Sequence, residues 1–193
     1  MSEPVGLLLA AGSASRFGSD KLSHGLPHGV SIAVQSARHL RSELKDVLAV
    51  VRPGAEALSV QLTKEGCKVV VCENAAEGMG ASLACAARAA GESAGYVVAL
   101  GDMPFVRRTT IAAVRDALAG GAALAAPYFR TQRGHPVGIA GRFFPQLVSL
   151  RGDEGAKKLL SENAKLLLKI PVGDPGAVRD IDTPDDLYPP LRV

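Results

Sequence analysis

Five short apolar runs, separated by longer amphipathic segments, constrain the fold of this chain more than any other feature of its sequence. Each run is five or six residues long and lacks the strict apolar–polar alternation of a strand with one solvent-facing side. Continuous apolar runs of this length are typical of strands that are buried on both faces of a parallel sheet. The predicted strands are Val5–Ala10, Val47–Val51, Lys68–Cys72, Tyr96–Leu100 and Ala122–Ala126.

Helical patterns lie between these runs, so strands and helices alternate through the first two thirds of the chain. Glycines follow three of the four patterns, as expected at helix C termini. Alternation with short connections predicts right-handed βαβ units and therefore an α/β domain. The predicted helices are about Ile32–Arg41, Ala55–Glu65, Met79–Ala90 and Thr109–Ala119.

The last third of the chain predicts a mixed sheet with an antiparallel insertion. Near its end, Thr183 is placed to cap a short helix that has Pro184 at its first position. The other elements expected here are strands at Pro136–Ala140 and Leu166–Pro171 and helices at Phe143–Leu150 and Glu154–Asn163.

The amino-acid composition indicates which kinds of partner this protein can bind. Apolar residues make up 47% of the 193 residues and aromatic residues only 4%, with no Trp, which disfavours a platform that stacks single-stranded nucleic acid. A net charge of +3 is too small for a DNA-binding face but suits a small anionic substrate. We therefore expect no nucleic-acid partner.

The cysteines and the N-terminal apolar run bear on the compartment. Cys67, Cys72 and Cys85 are odd in number and form no C-x-x-C pair, so reduced thiols are expected rather than disulfides or structural zinc. The run Val5–Ala11 is too short to span a bilayer. The sequence thus predicts a soluble, cytoplasmic protein without a membrane partner.

A loop of small residues with two cations follows the first strand. Ala10, Ala11 and Gly12 allow backbone N–H groups to approach phosphate oxygens, and Arg16 and Lys21 can neutralise a triphosphate. The spacing of the glycines excludes both G-x-G-x-x-G and G-x-x-x-x-G-K-[ST]. A tight turn with incidental charges remains the alternative.

A carboxylate follows the fourth strand. Asp102 lies in Gly101-Asp102-Met103-Pro104, at the carboxyl end of a buried strand, where ligands of open α/β sheets bind. Such a carboxylate is a natural Mg²⁺ ligand together with phosphate oxygens; capping of the next turn is the alternative. Because both loops end strands of one sheet, we expect them to face the same edge and together to suit a nucleoside triphosphate with Mg²⁺.

The sequence resembles the molybdopterin-type nucleotidyltransferases and, within them, the molybdenum cofactor cytidylyltransferases, from about residue 5 to residue 187. Six short motifs in family order carry the resemblance. They are Leu9-Ala10-Ala11-Gly12 through Arg16-Phe17-Gly18 and Lys21; Asn74 with Glu77-Gly78-Met79-Gly80-Ala81-Ser82-Leu83; Gly101-Asp102-Met103-Pro104; Arg133-Gly134-His135-Pro136-Val137; Gly152-Asp153-Glu154-Gly155-Ala156; and Asp180-Ile181-Asp182-Thr183-Pro184.

The resemblance implies a Rossmann-like mixed, mostly parallel sheet flanked by helices, of the nucleotidyltransferase type. One domain would span residues 1–193, with a nucleotide-binding half at 1–108 and an acceptor-binding half at 109–193. It also implies Mg²⁺-dependent transfer of a nucleotidyl group to the terminal phosphate of molybdopterin, with release of pyrophosphate. The implied partners are the nucleotide, molybdopterin and, in passing, a molybdoenzyme of the xanthine dehydrogenase type or its chaperone.

Carried over by position, the resemblance assigns roles to individual residues. Arg16, Lys21 and Asp102 would be catalytic. Nucleotide binding would involve these three residues together with Ala10, Ala11, Gly12, Gly80 and Ser82. Asp102 and Asp182 would bind the metal. His135 and Asp182 would face the acceptor. For Ser82 a capping role, and for His135 a local hydrogen bond in a turn, are the alternatives.

The resemblance leaves the donor and the acceptor open to alternatives. Ala11-Gly12 resembles the cytidine-using branch, whereas the guanosine-using branch tends to have Gly-Gly there, so CTP is expected and GTP is the alternative. Phe17 and Ser23-His24-Gly25 depart from the family pattern. A sugar or polyol phosphate acceptor, a non-catalytic molybdopterin-binding chaperone and a nicotinamide-dependent dehydrogenase are the competing functions.

Overall fold

An eight-stranded mixed sheet forms the centre of the molecule. The computed structural model describes residues 3–12, 21–153 and 155–188. The strands follow the order β3-β2-β1-β4-β7-β5-β6, and β8 pairs with β5 as well. They are β1 (Val5–Ala10), β2 (Val47–Val51), β3 (Lys68–Val71), β4 (Gly95–Leu100), β5 (Leu124–Phe129), β6 (Gln132–Arg133), β7 (Val137–Ala140) and β8 (Leu167–Pro171).

Within the described ranges, six α-helices cover the two faces of this sheet and bury a hydrophobic cluster on each. Side chains of α1, α2 and α4 pack on one face, and those of α3, α5 and α6 pack on the other. Alternate residues of β1 enter the two clusters, which explains why its sequence is apolar throughout. The helices are α1 (Ile32–Glu43), α2 (Glu56–Lys64), α3 (Met79–Ala90), α4 (Arg108–Ala119), α5 (Phe144–Ser149) and α6 (Gly155–Glu162).

The register brings the carboxyl ends of the first four strands to one edge. β1 lies parallel between β2 and β4, with Leu9 opposite both Val50 and Leu100, and β3 continues the parallel order on the far side of β2. The loops that follow these strands therefore meet above the same edge of the sheet. The expected α/β fold with a mixed, mostly parallel sheet is confirmed.

The expected antiparallel insertion is also present. β7 runs antiparallel between β4 and β5, with Val137 opposite Val98 and Gly138 opposite Ala125. Residues from both predicted halves of the chain thus share one sheet and both hydrophobic clusters.

Two details of the second half differ from the sequence-based prediction. The strand predicted at Ala122–Ala126 is found at Leu124–Phe129, because the Ala122 N–H still donates to the Ala117 carbonyl at the end of α4, at 3.0 Å. The short strand β6 was not predicted, since two polar residues carry no periodic signal. Pro184–Leu187 forms a single 3-10 turn, with Thr183 at the expected cap position.

Candidate functional site

A cleft of about 690 Å³ opens at the carboxyl ends of the parallel strands. Ala11 and Gly12 after β1 and Leu100 and Asp102 at the end of β4 form part of its wall. The start of α3 and the segments after β2 and β3 complete the wall, together with Lys21. This is the edge at which ligands of open α/β sheets bind.

The Lys21 ammonium group is the electrostatic centre of this cleft. Its Nζ lies 3.0 Å from an Asp102 carboxylate oxygen and 3.3 Å from one of Asp182. Burial opposes the charge on Lys21, but the two carboxylates outweigh it, so the pKa of Lys21 lies above its ordinary value. Lys21 therefore stays cationic throughout the physiological range, beside two carboxylates.

Hydrogen bonds of backbone N–H groups hold the segments that carry the two carboxylates in place. The Ile181 N–H donates to the Asp102 carbonyl at 2.9 Å, which joins the C-terminal segment to the end of β4. The Asp186 carboxylate accepts from the N–H groups of Asp182 (3.3 Å) and Thr183 (2.9 Å). The structure thus brings together three of the residues singled out in the sequence, Lys21, Asp102 and Asp182.

The residues at the end of β1 and just after it differ in whether they line the cleft. Ala10 is buried in the hydrophobic cluster of the α1 face, whereas Ala11 and Gly12 line the cleft itself. Among the residues that the structure describes, which exclude 13–20, no atom lies within 4 Å of a methyl group added at Gly12, so these residues leave its backbone accessible to a ligand. Arg16 lies outside the described residues.

The start of α3 is engaged by another part of the chain. The Gly80 N–H donates to the Gly152 carbonyl at 2.6 Å, and the Ser82 hydroxyl donates to the Gly78 carbonyl at 3.3 Å. Ser82 lines the cleft, while Gly80 is buried beneath residues 151 and 152. The Gly80 amide is therefore committed within the protein.

His135 lies outside this cleft, in the turn before β7. Its backbone N–H donates to the Ala177 carbonyl, and Nδ1 of its ring is buried without a hydrogen-bond partner among the described residues. Burial, with the nearby Arg133 guanidinium, lowers the pKa of His135 to about 4. The imidazole is therefore neutral at physiological pH.

The donor set at Lys21 fits a hard divalent cation. Asp102 and Asp182 present carboxylate oxygens around one point, and Mg²⁺ is typically bound by one or two carboxylates with the remaining ligands from phosphates and water. Among residues 3–12, 21–153 and 155–188, no group of three His, Cys, Asp or Glu side chains is placed to hold a metal alone. The protein would thus share such an ion with its substrate.

Three acidic side chains near the site were not assigned a role from the sequence. Asp180 is partly buried, and burial, with the neighbouring Asp182 and Asp102 carboxylates, raises its pKa. Glu73 and Asp153 line the cleft. The Asp-x-Asp spacing could have indicated Asp180, but no local pattern relates Glu73 or Asp153 to a cleft formed by other strands.

A second cavity, of about 820 Å³, lies beside α1 and the start of α4. His39 and Asp174 line it, but both side chains form hydrogen bonds with other groups of the protein. The His39 Nδ1 bonds the Val106 carbonyl at 2.8 Å, and the Asp174 carboxylate accepts from the Arg107 N–H and the Thr110 hydroxyl. The cleft at Lys21 therefore remains the better candidate for ligand chemistry.

Comparison with known families identifies the family to which the chain belongs. Residues 6–166 match the MobA-like NTP transferase domain. The chain belongs to this family of nucleotidyltransferases. The match includes β1, Lys21 and Asp102, the parts from which the cleft and its cation are built.

Two relatives resemble the chain over nearly its whole length. The nicotine blue oxidoreductase of Paenarthrobacter nicotinovorans is 29% identical over 193 residues, covering 95% of this chain and 94% of its own. The purine catabolism protein PucB of Bacillus subtilis (strain 168) is 32% identical over 196 residues, covering 94% of this chain and 93% of its own.

Solved structures confirm the architecture. Rv0371c from Mycobacterium tuberculosis H37Rv superposes with a TM-score of 0.82 at 25% identity, covering 96% of this chain and 95% of that one. The complex of Rv0371c with manganese gives 0.79 at 24% identity, covering 96% of each chain. In the described parts of this chain, no helix is long and apolar enough to cross a membrane.

Proposed function

We propose that this protein transfers CMP from CTP to the terminal phosphate of molybdopterin, with Mg²⁺, and releases pyrophosphate. One observation carries the proposal: a cation and two carboxylates meet within hydrogen-bond distance at the nucleotide-binding edge of the sheet. That combination suits a triphosphate and a divalent ion together, and the family match supports the reaction class.

The chemistry requires positioning rather than a general base. An oxygen of the acceptor phosphate, already ionised near neutral pH, attacks the α-phosphorus in line. The bond to the oxygen bridging the α- and β-phosphorus atoms breaks, and pyrophosphate leaves with that electron pair, so no proton has to move. Lys21 stabilises the charge on the phosphate chain, and the open backbone at Gly12 lets phosphate or ribose approach.

Asp102 and Asp182 are the residues that would hold Mg²⁺. When bound, the ion supplies charge neutralisation and alignment of the phosphate oxygens. The manganese complex of Rv0371c shows only that a protein of the same fold binds a divalent metal, and it supports this proposal by analogy.

Ala11 is the basis for CTP as the donor. Its methyl group lines the cleft where a second glycine would leave more room, and this favours a pyrimidine over the larger purine. Molybdopterin as the acceptor rests on the motif resemblance, and His135 and Asp182 would face it. The three cysteines, none of them in a disulfide, favour a reducing, cytoplasmic setting. A molybdoenzyme of the xanthine dehydrogenase type, or its chaperone, as recipient rests on the motif resemblance alone.

Pyrophosphate release tests the proposal. Molybdenum-loaded molybdopterin and Mg²⁺ are incubated with CTP, GTP, ATP or UTP, and release with CTP alone is expected. Ala11→Gly should raise turnover with GTP relative to CTP, whereas Ala10→Gly, the same change at a core position, should not. Asp102→Asn should abolish release with CTP and leave the thermal midpoint close to that of Asp46→Asn, an exposed control.

The other outcomes separate the alternatives. Release with GTP alone keeps the mechanism and removes the role given to Ala11, and release only with a sugar or polyol phosphate replaces the acceptor. Tight molybdopterin binding without release favours a chaperone.

A second candidate is a nicotinamide-dependent oxidoreductase; the name of the 29% identical relative, nicotine blue oxidoreductase, supports the reaction class but names no cofactor. The chain lacks the G-x-G-x-x-G motif of dinucleotide-binding folds, which argues against it. Binding of NADH or NADPH, measured by calorimetry, with oxidation in the presence of nicotine blue, would support this candidate.

A further inference from the structure

The loop before α6 supplies the N-terminal cap of α3, the helix that forms one wall of the cleft. Gly78 occupies the N-cap position of α3, and no side chain of the helix itself caps it. The Met79 N–H donates instead to an Asp153 carboxylate oxygen at 3.3 Å, and the Gly80 N–H donates to the Gly152 carbonyl at 2.6 Å. Two free N–H groups of α3 are thus satisfied from more than 70 residues away.

Glycines make this approach possible. A methyl group at Gly78 would lie 2.1 Å from the Asp153 carboxylate, and one at Gly80 would lie 2.6 Å from the Arg151 carbonyl oxygen. Gly78 also has a φ of +125°, a conformation that other residues rarely adopt. The close fit at both positions shows that the contact is built into the motif Glu77-Gly78-Met79-Gly80.

Residues on both sides of this contact also line the cleft. Gly78, Met79, Ser82 and Asp153 all line the cleft. Displacement of residues 151–153 would therefore release the first turn of α3 and move one wall of the cleft. Glu73 and Asp102 line the same cleft, so three carboxylates belong to its lining along with the Lys21 ammonium group.

We propose that Asp153 is a positioning residue for the nucleotide, which fixes the wall formed by α3 through its hydrogen bond to Met79. The inference rests on the proposed use of this cleft for a nucleoside triphosphate. The charge on Asp153 also matches the positive end of the α3 dipole. Asparagine keeps the accepting oxygen at this position, whereas alanine removes it.

Calorimetric titration with a non-hydrolysable α,β-methylene analogue of CTP tests the proposal directly. We expect Asp153→Ala to raise the Kd about fivefold, the usual scale for loss of one helix cap. Asp153→Asn should restore the Kd to within about twofold of the parent, because an amide oxygen also accepts from the Met79 N–H. Glu56→Gln, which removes an acidic residue from the first turn of α2, should leave the Kd unchanged.

Steady-state kinetics and thermal unfolding complete the test. Asp153→Ala should raise KM for the nucleotide with kcat nearly unchanged. A fall in thermal midpoint with an unaltered Kd would mean that the cap is structural only and would overturn the proposal, as would an Asn variant no better than Ala. If the parent binds none of CTP, GTP, ATP and UTP, the proposed function is overturned as well. If the parent binds normally and Asp153→Ala binds equally well, only the present inference is overturned.

Discussion

Lys21 neutralises two carboxylates that would otherwise repel each other and any phosphate chain that approaches them. Asp102 and Asp182 both lie within hydrogen-bond distance of its Nζ. Removal of the ammonium group would thus leave Asp102 and Asp182 without their shared cation at the end of β4, with the partly buried Asp180 beside them. The residue matters through this balance of charge as much as through direct contact with a ligand.

Lys21→Ala should weaken nucleotide binding. Loss of a charge-assisted contact and unopposed repulsion from Asp102 and Asp182 should raise the Kd for a CTP analogue by about tenfold or more. Calorimetry measures this, with Lys64→Ala, an exposed lysine at the end of α2, as the control. Unaltered affinity would show that the loop has another role.

His135 should make stability sensitive to mild acid. Its folded pKa of about 4 lies below the ordinary value of 6.5, so the unfolded chain takes up the proton first as pH falls. Its contribution to stability is complete above pH 6.5 and is lost between about pH 6.5 and pH 4. Urea unfolding at pH 7.0 and 5.0 should show a larger loss of unfolding free energy for the parent than for His135→Gln.

Groups around His135 shift its pKa in opposite directions. Arg133 lowers the pKa of the imidazole, whereas the Val98 carbonyl and Asp180 raise it, and burial dominates. An equal loss of stability in the parent and in His135→Gln would show that other groups, such as the partly buried His39, account for the acid sensitivity.

At the scale of elements, two helices beside the site depend on carboxylates from later in the chain. Asp153 caps α3. Asp174, which is almost completely buried, accepts from the Arg107 N–H (2.8 Å) and the Thr110 hydroxyl (2.6 Å) at the start of α4, and from the Gly176 N–H (3.0 Å). The contacts of Asp153 and Asp174 thus fasten later segments of the chain to α3 and α4, the helices that follow β3 and β4.

Asp174→Ala should destabilise the protein strongly. Three donors would lose their acceptor at a buried position, so we expect a loss of about 3 kcal/mol or more in the free energy of unfolding. Urea denaturation measures it, with the exposed Asp46→Ala as control. A loss no larger than that of the control would mean that water replaces the carboxylate.

These caps also show where sequence-based prediction stops. Strands β1 to β4 and helices α1 to α4 were predictable because apolar runs and terminal glycines define them locally. The meeting of Lys21 with Asp102 followed from the shared edge of a parallel sheet. The caps at Asp153 and Asp174 depend on pairs 64 to 74 residues apart, and the burial of His135 depends on how β7 enters the sheet, so no local pattern contains them.

At the scale of the whole molecule, segments from before and after residue 108 share one sheet and both hydrophobic clusters. Tyr96 on β4 is fully buried and stacks on Phe144, with ring centroids 6.4 Å apart, and β4 has β7 as a neighbour. The clusters on both faces of the sheet draw side chains from before and after residue 108.

A fragment of residues 1–108 should therefore not fold by itself. It lacks β7, the later helices and both caps, so Tyr96 and the edge of β4 would be exposed. Circular dichroism should show no cooperative thermal transition for the fragment and a single one for the full chain. A cooperative transition in the fragment would make the first half an independent domain.

The order in which the caps lie along the chain has a consequence for biosynthesis. A protein is made from its N terminus, and early segments begin to fold while later ones are still being added. The strands and helices of the nucleotide cleft are complete by residue 102, but the carboxylate that secures α3 comes at residue 153 and the acidic partner of Lys21 at residue 182. A nascent chain on the ribosome would thus acquire the complete cleft only after residue 182 has been added.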